Sequence, residues 1–162
     1  MNQNEQMFTT AKIIHSALII GVAVFFAVIL FGLPEKEVND TVDVSQFQLF
    51  GYIATMMMAM GIVTGSVLFK RNTSRLKSTT MTAEISREQL LAYQTAMIIR
   101  DALMEGPALF SLVTLFLIKG AVGFLDYSLL LVRLPLINVG VFFLLMLYHF
   151  PSEEKIKNTF LG

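Results

Sequence analysis

Polar and apolar positions along the chain separate into long blocks rather than alternating at short range. Four apolar stretches stand out, at 13–33, 47–69, 92–118 and 121–149. About 20 apolar residues in a helix cross the ~30 Å of a bilayer's hydrocarbon, so each stretch is long enough to span it. The first carries no charge after Lys12 and stops at Pro34, and the second ends on Lys70-Arg71. The third is interrupted by Arg100, Asp101 and Glu105; the fourth carries Asp126 and Arg133 and ends at Pro151. Only Lys119 and Gly120 separate the last two stretches, which are therefore expected to form a tight antiparallel hairpin. The pattern predicts an all-α polytopic membrane protein, residues 1–162 forming a single domain of four transmembrane helices in two antiparallel hairpins. The first stretch exceeds a signal-peptide core and has no small-x-small cleavage pattern after it, so it is read as retained.

The segment 70–91 between the second and third stretches is basic, with Lys70, Arg71, Arg75, Lys77 and Arg87. The connection before the second stretch holds Glu35, Glu37, Asp40 and Asp43 against a single Lys36. Lys and Arg collect on the cytoplasmic side of membrane proteins. This places the basic loop and both termini in the cytoplasm, with Lys155 and Lys157 of the tail in agreement. An inner membrane of a bacterium is the expected location. Thr80 or Thr82, ahead of Ala83-Glu84, is the expected N-cap of a third helix that starts on the membrane surface. The loop itself reads as a topology signal lying on anionic headgroups.

Composition narrows the function classes. Hydrophobic residues are 55% of the chain and charged residues 15%, with a mean hydropathy of +0.67. A soluble surface needs roughly a quarter charged residues. The absence of Cys excludes disulfides, thiol catalysis and Cys-based metal sites. Twelve Lys and Arg balance 12 Asp and Glu, which argues against nucleic acid as a partner. No zinc motif, nucleophile elbow or phosphate-binding loop is present. A protein without catalytic activity, cofactor or bound metal is expected, with the lipid bilayer as its surroundings.

The chemistry sits in the charges inside the spans. An ionisable group in hydrocarbon normally faces the bundle interior and has a partner. With the hairpin turn at Lys119-Gly120, equal depth pairs Glu105 with Arg133 and Asp101 with Asn138. A buried Glu105–Arg133 ion pair is therefore expected, with Asp101 and Asn138 one turn toward the cytoplasm. Asp101 shares a helix face with Glu105, and Asp126 shares one with Arg133. Arg100 points elsewhere and is expected to snorkel to the inner surface or meet another helix. His15 lies at a comparable level and is a candidate neighbour for it. Pro107 and Pro135 each follow a charge by two residues and free the carbonyls of Leu103 and Leu131. Such paired interruptions suit either a polar seam that fixes helix register or an ion or proton site. Gly61-x-x-x-Gly65 is a helix-packing pattern. Met56, Met57, Met58 and Met60 beside it read as adaptable packing, and span one as lipid-facing. His149 carries no expected role, and Asn39-x-Thr41 matches a glycosylation acceptor.

The run Leu103-Met104-Glu105-Gly106-Pro107-Ala108-Leu109-Phe110-Ser111-Leu112-Val113 resembles the carboxylate helix of the proteolipid (c) subunits of rotary ATPases. The likeness covers residues 60–118, from the glycines of span two through the basic loop to span three. It implies that Glu105 matches the family's ion- or proton-binding carboxylate. The glycine repeat of the family's first helix and its Arg-Gln-Pro loop are missing. Two functions follow as expectations. One is an accessory or assembly subunit packed in a larger membrane complex, its polar seam fixing its own fold. The alternative is a homo-oligomeric proton- or ion-translocating unit using Glu105.

Overall fold

The computed structural model describes residues 3–32, 45–76, 85–122 and 129–161. Among these, 94% are helical and none lies in a strand. Helix α1 (Gln3–Ala27) ends in a π-helical turn, Val28–Gly32, and is followed by α2 (Ser45–Ser74), α3 (Arg87–Val122), α4 (Leu129–Tyr148) and α5 (Glu153–Leu161). Three helices are long and apolar enough to cross a membrane, or four if α4 and α5, bent by 79°, count as one broken span. Their outer faces carry exposed Ile13, Ile20, Phe31, Met56, Val63, Ile137 and Leu144, apolar surface suited to acyl chains.

Helix α3 is the axis of the bundle and touches α1, α2 and α4. Its buried positions include Leu90, Tyr93, Met97, Asp101, Met104, Ala108, Ser111, Leu115 and Ile118. They follow one another at three- and four-residue steps, the spacing that keeps a single face against neighbours. The helix is longer at both ends than its apolar stretch. At its start, Ser86 Oγ accepts from the Gln89 amide at 3.2 Å and Gln89 Oε1 accepts from the Ser86 amide at 2.9 Å. This reciprocal capping box makes Ser86 the N-cap, in place of Thr80 or Thr82, which lie outside the described residues. Gln89 Nε2 also donates to Leu76 O at 2.8 Å, tying the end of α2 to the start of α3.

Helix α2 buries a ridge of mostly small residues: Gly51, Ala54, Met58, Gly61 and Gly65. Small side chains let helix backbones approach, which replaces the hydrophobic drive that lipid does not supply. A Cβ on Gly65 would lie 3.0 Å from Arg100 Cγ, and one on Gly61 would overlap the Leu103 carbonyl oxygen. That carbonyl is the one Pro107 deprives of its helical donor. The α2 backbone thus covers the polar group the proline releases, close enough for weak Cα–H···O contact.

One cluster holds Val22 and Ile29 of α1, Met58 of α2, Met104, Leu112 and Leu115 of α3, and Phe142 and Met146 of α4. A second gathers Ala11, Leu90, Tyr93, Met97, Ile156 and Phe160. The latter brings the N-terminal halves of α1 and α3 to the same end as α5. Helix α5 lies across that end, with Ile156 and Phe160 turned inward and Glu153, Glu154, Lys155 and Lys157 exposed.

Gly61→Ala is expected to lower stability by about 1–3 kcal/mol, because backbone must shift. Gly106→Ala, where an added Cβ meets nothing within 4 Å, should be neutral or slightly stabilising. Thermal unfolding of the two variants in detergent measures the contrast.

Candidate functional site

The buried polar side chains of α3 fall at three levels. At the first, Asp101 is fully buried and receives two neighbours. His15 of α1 places Nδ1 2.6 Å from Asp101 Oδ2. Arg100 donates from Nε and Nη2 to Asp101 Oδ1, both at 3.1 Å. His15 Nε2 lies 2.8 Å from the carbonyl of Met146, in the last turn of α4. That carbonyl is without its helical donor, because the Phe150 amide bonds Leu147 O instead. Each ring nitrogen of His15 therefore faces an oxygen, a carboxylate on one side and a backbone carbonyl on the other. Arg100 and His15 thus share one carboxylate in a site almost closed to solvent.

Aromatic rings flank both side chains. The Arg100 guanidinium lies 4.8 Å from the centroid of the Phe69 ring, a cation–π arrangement, and Gly65 leaves room for its aliphatic stem. The His15 ring meets Phe150 edge-on at 5.4 Å. Because Nε2 is bonded to a carbonyl, the His15–Asp101 pair is not aimed at a hydroxyl nucleophile. Among the described residues, no three His, Cys, Asp or Glu side chains come together as a metal site.

Ten residues further along α3, about 15 Å by helical rise, Asn138 Nδ2 of α4 donates to Ser111 Oγ of α3 and Thr55 Oγ1 of α2, both at 3.1 Å. Thr55 in turn donates to Gly51 O at 2.9 Å. Toward the far end, buried Lys119 donates to Ile29 O at 3.0 Å and Leu30 O at 2.6 Å, in the π-helical turn of α1. Among the described residues, no buried side-chain nitrogen or oxygen is left without a hydrogen-bond partner.

This geometry corrects the register read from the sequence. Helix α3 runs through Lys119 and Gly120 to Val122, so these two residues are not the turn. The hairpin turn is displaced, so Ser111, not Asp101, lies opposite Asn138. The expected Glu105–Arg133 ion pair is not formed: among the described residues the ion pairs are His15–Asp101 and Arg100–Asp101. Arg133 is exposed and Glu105 half-buried. Arg100 does not snorkel to the surface, since it has Asp101 beside it and Phe69 beneath it. His15 meets Asp101 itself, one residue from the expected neighbour, and span one therefore contributes to the site. Asp126 lies outside the described residues. Pro107 and Pro135 are both buried within continuous helices, with Pro135 and Leu134 against Gly51. The sequence reading gave Lys119 only a place in a turn and Ser111 only one in the proteolipid-like run, and it passed over Thr55. A lysine before a glycine looks like a turn, and single hydroxyls in apolar stretches carry no pattern of their own.

Glu105 stands near the middle of the apolar stretch Arg87–Ala121. Gly106 and Pro107, which follow it, line a groove of about 360 Å³ between α2 and α3 together with Met57, Met60, Gly61 and Thr64. Comparison with protein-family models, curated proteins and solved structures found no match.

Asp101→Leu should destabilise the bundle by about 3–5 kcal/mol, because it leaves Arg100 and His15 buried without their carboxylate. Replacing His15, Arg100 and Asp101 together by apolar residues of similar volume should recover most of that loss. Circular dichroism during unfolding in mixed micelles tests both.

Proposed function

We propose that this chain is a four-span integral membrane protein without catalytic activity that serves as an accessory or assembly subunit of a larger membrane complex. Glu105 carries the proposal. It is an ionisable group at the middle of a candidate span, and among the described residues no hydrogen bond or ion pair reaches it. A carboxylate at mid-depth is costly unless it meets a partner. Next to it in sequence, Gly106 lines an apolar groove between α2 and α3 along which Met57 and Met60 are exposed, a surface that another helix can cover. The occupant is a transmembrane helix of a different subunit, presenting Lys, Arg or a hydrogen-bond donor at the level of Glu105.

The arrangement within the bilayer follows from length and polarity. Helix α4, with 20 residues, spans about 30 Å. Helix α5 is polar on its exposed face, so it lies on the membrane surface rather than prolonging α4. Helices α1 to α4 are then two antiparallel hairpins. Both termini and the basic segment face the cytoplasm by the distribution of Lys and Arg, and a bacterial inner membrane is the proposed setting. The buried polar levels of α3 act as register marks. Among the described residues their buried side-chain atoms all have hydrogen-bond partners, which suits a structural role better than a conducting path.

One observation favours the alternative, a homo-oligomeric proton- or ion-translocating unit. Without Arg133 on it, the half-buried Glu105 is left to bind an ion or proton, as the carboxylate of a proteolipid-like subunit must. Extraction in mild detergent separates the two readings. The accessory reading expects a defined complex with unlike subunits, from which Glu105→Leu drops out while keeping its helical content. A closed ring of identical chains, whose proton flux in liposomes is lost in Glu105→Gln, would establish the alternative. A wild-type chain that runs alone, with flux indifferent to Glu105, would overturn both.

A further inference from the structure

At the end of the bundle where α2 gives way to the basic segment, the corner between α4 and α5 encloses a pocket of about 390 Å³. It exists because α5 folds back. Ser152 Oγ accepts from the Lys155 amide at 3.3 Å, starting the helix, and Ile156 and Phe160 hold it down in the second apolar cluster. Lys155, Asn158 and Thr159 then face the pocket from α5, with Arg100 and Tyr93 of α3 opposite and His149 between.

The charge around this pocket is one-sided. Among the described residues, no carboxylate lines it. Asp101 stands behind Arg100, with Oδ2 engaged by His15 and Oδ1 by two Arg100 nitrogens. Arg100 is 4% exposed, yet its Nη1 has no hydrogen bond to any described residue. Since no buried side-chain nitrogen is left unpartnered, Nη1 must reach accessible space, and the pocket that Arg100 lines provides it. Lys155 adds an ammonium fixed over the carbonyls of Tyr148 and Phe150. A guanidinium edge, an ammonium, and hydroxyl and amide donors converge on one space that a tetrahedral oxyanion fills well. The volume exceeds that of a bare oxyanion, and its walls include the rings of Phe69, Tyr93 and Tyr148. Room therefore remains for an esterified organic group.

We infer that this pocket binds a phosphate ester, with its phosphate between Arg100 and Lys155. The headgroup of an anionic phospholipid and a soluble phosphate compound share that chemistry. The full chain, purified in detergent, is titrated separately with phosphatidylglycerol, phosphatidylcholine and inorganic phosphate. Native mass spectrometry counts bound lipid, and thermal unfolding reports phosphate. Two variants accompany the wild type. Lys155→Glu changes an exposed position and puts a carboxylate at the rim; Arg100→Lys keeps the charge but removes the fork, with circular dichroism checking its fold.

One phosphatidylglycerol per chain, held at least tenfold more tightly than phosphatidylcholine and weakened about tenfold by Lys155→Glu, is the expected result for a lipid headgroup. Arg100→Lys, where it folds, should weaken it by a similar factor. A rise in unfolding temperature with inorganic phosphate in the wild type but not in Lys155→Glu, without preference between the lipids, would support the pocket and assign it to a soluble ester. Lipid and phosphate responses that are absent, or the same in wild type and Lys155→Glu, would overturn the inference.

Discussion

A buried carboxylate shared by an arginine and a histidine organises one end of this bundle. Asp101 cannot lie in an apolar interior alone, and its two oxygens face different ways. One draws Arg100 along the same helix, and the other draws His15 across from α1. His15 then spends its remaining nitrogen on a carbonyl that the end of α4 leaves open. A single acid thereby ties three helices at one height. Arg100 in turn needs the flat face of Phe69 and the bare backbone at Gly65, which sets how α2 must lie. Most of the helix placement near this end follows from satisfying that one charge.

The other half is governed by backbone rather than side-chain charge. Pro107 opens a gap in the hydrogen bonding of α3, and the gap is closed by proximity to Gly61. The π-helical turn of α1 presents carbonyls that Lys119 gathers. Asn138 joins α2, α3 and α4 through two hydroxyls between these places. In water each of these irregularities would be hydrated. In hydrocarbon each must be met by another part of the chain, and the bundle's cross-links occur where its helices depart from regularity.

Much of the fold was legible because apolar length is a local property. The positions of α1 and α2 follow from uninterrupted hydrophobic stretches and that of α3 from a long one broken only by three charges, and the small ridge on α2 was visible in Gly61 and Gly65. The register of the last hairpin was not legible. It turned on whether Lys119-Gly120 is a turn, and the sequence alone shows a charge and a helix breaker. That Lys119 has two carbonyls of α1 waiting for it is a tertiary fact. Once α3 is extended past it, Glu105 and Arg133 move apart and Asn138 moves to Ser111. The N-terminal cap was legible and overlooked: Ser86-x-x-Gln89 is the reciprocal motif, whereas neither threonine upstream has the matching fourth residue. His15 was visible only as a lone polar residue, and its partner depended on how α1 is rotated against α3.

The two ties between α1 and α3 also fix a distance. From His15 to Leu30 is about 22 Å along α1, and from Asp101 to Lys119 about 27 Å along α3, by helical rise. The helices run in the same direction, and a lysine side chain leans back toward its own N-terminus, so its reach absorbs the difference. Between its two anchors α1 is therefore a ruler. Its outward residues are free to vary, but inserting or deleting one would turn the far carbonyls about 100° away from the ammonium that holds them. Over this interval the chain's length is under tighter constraint than its lettering.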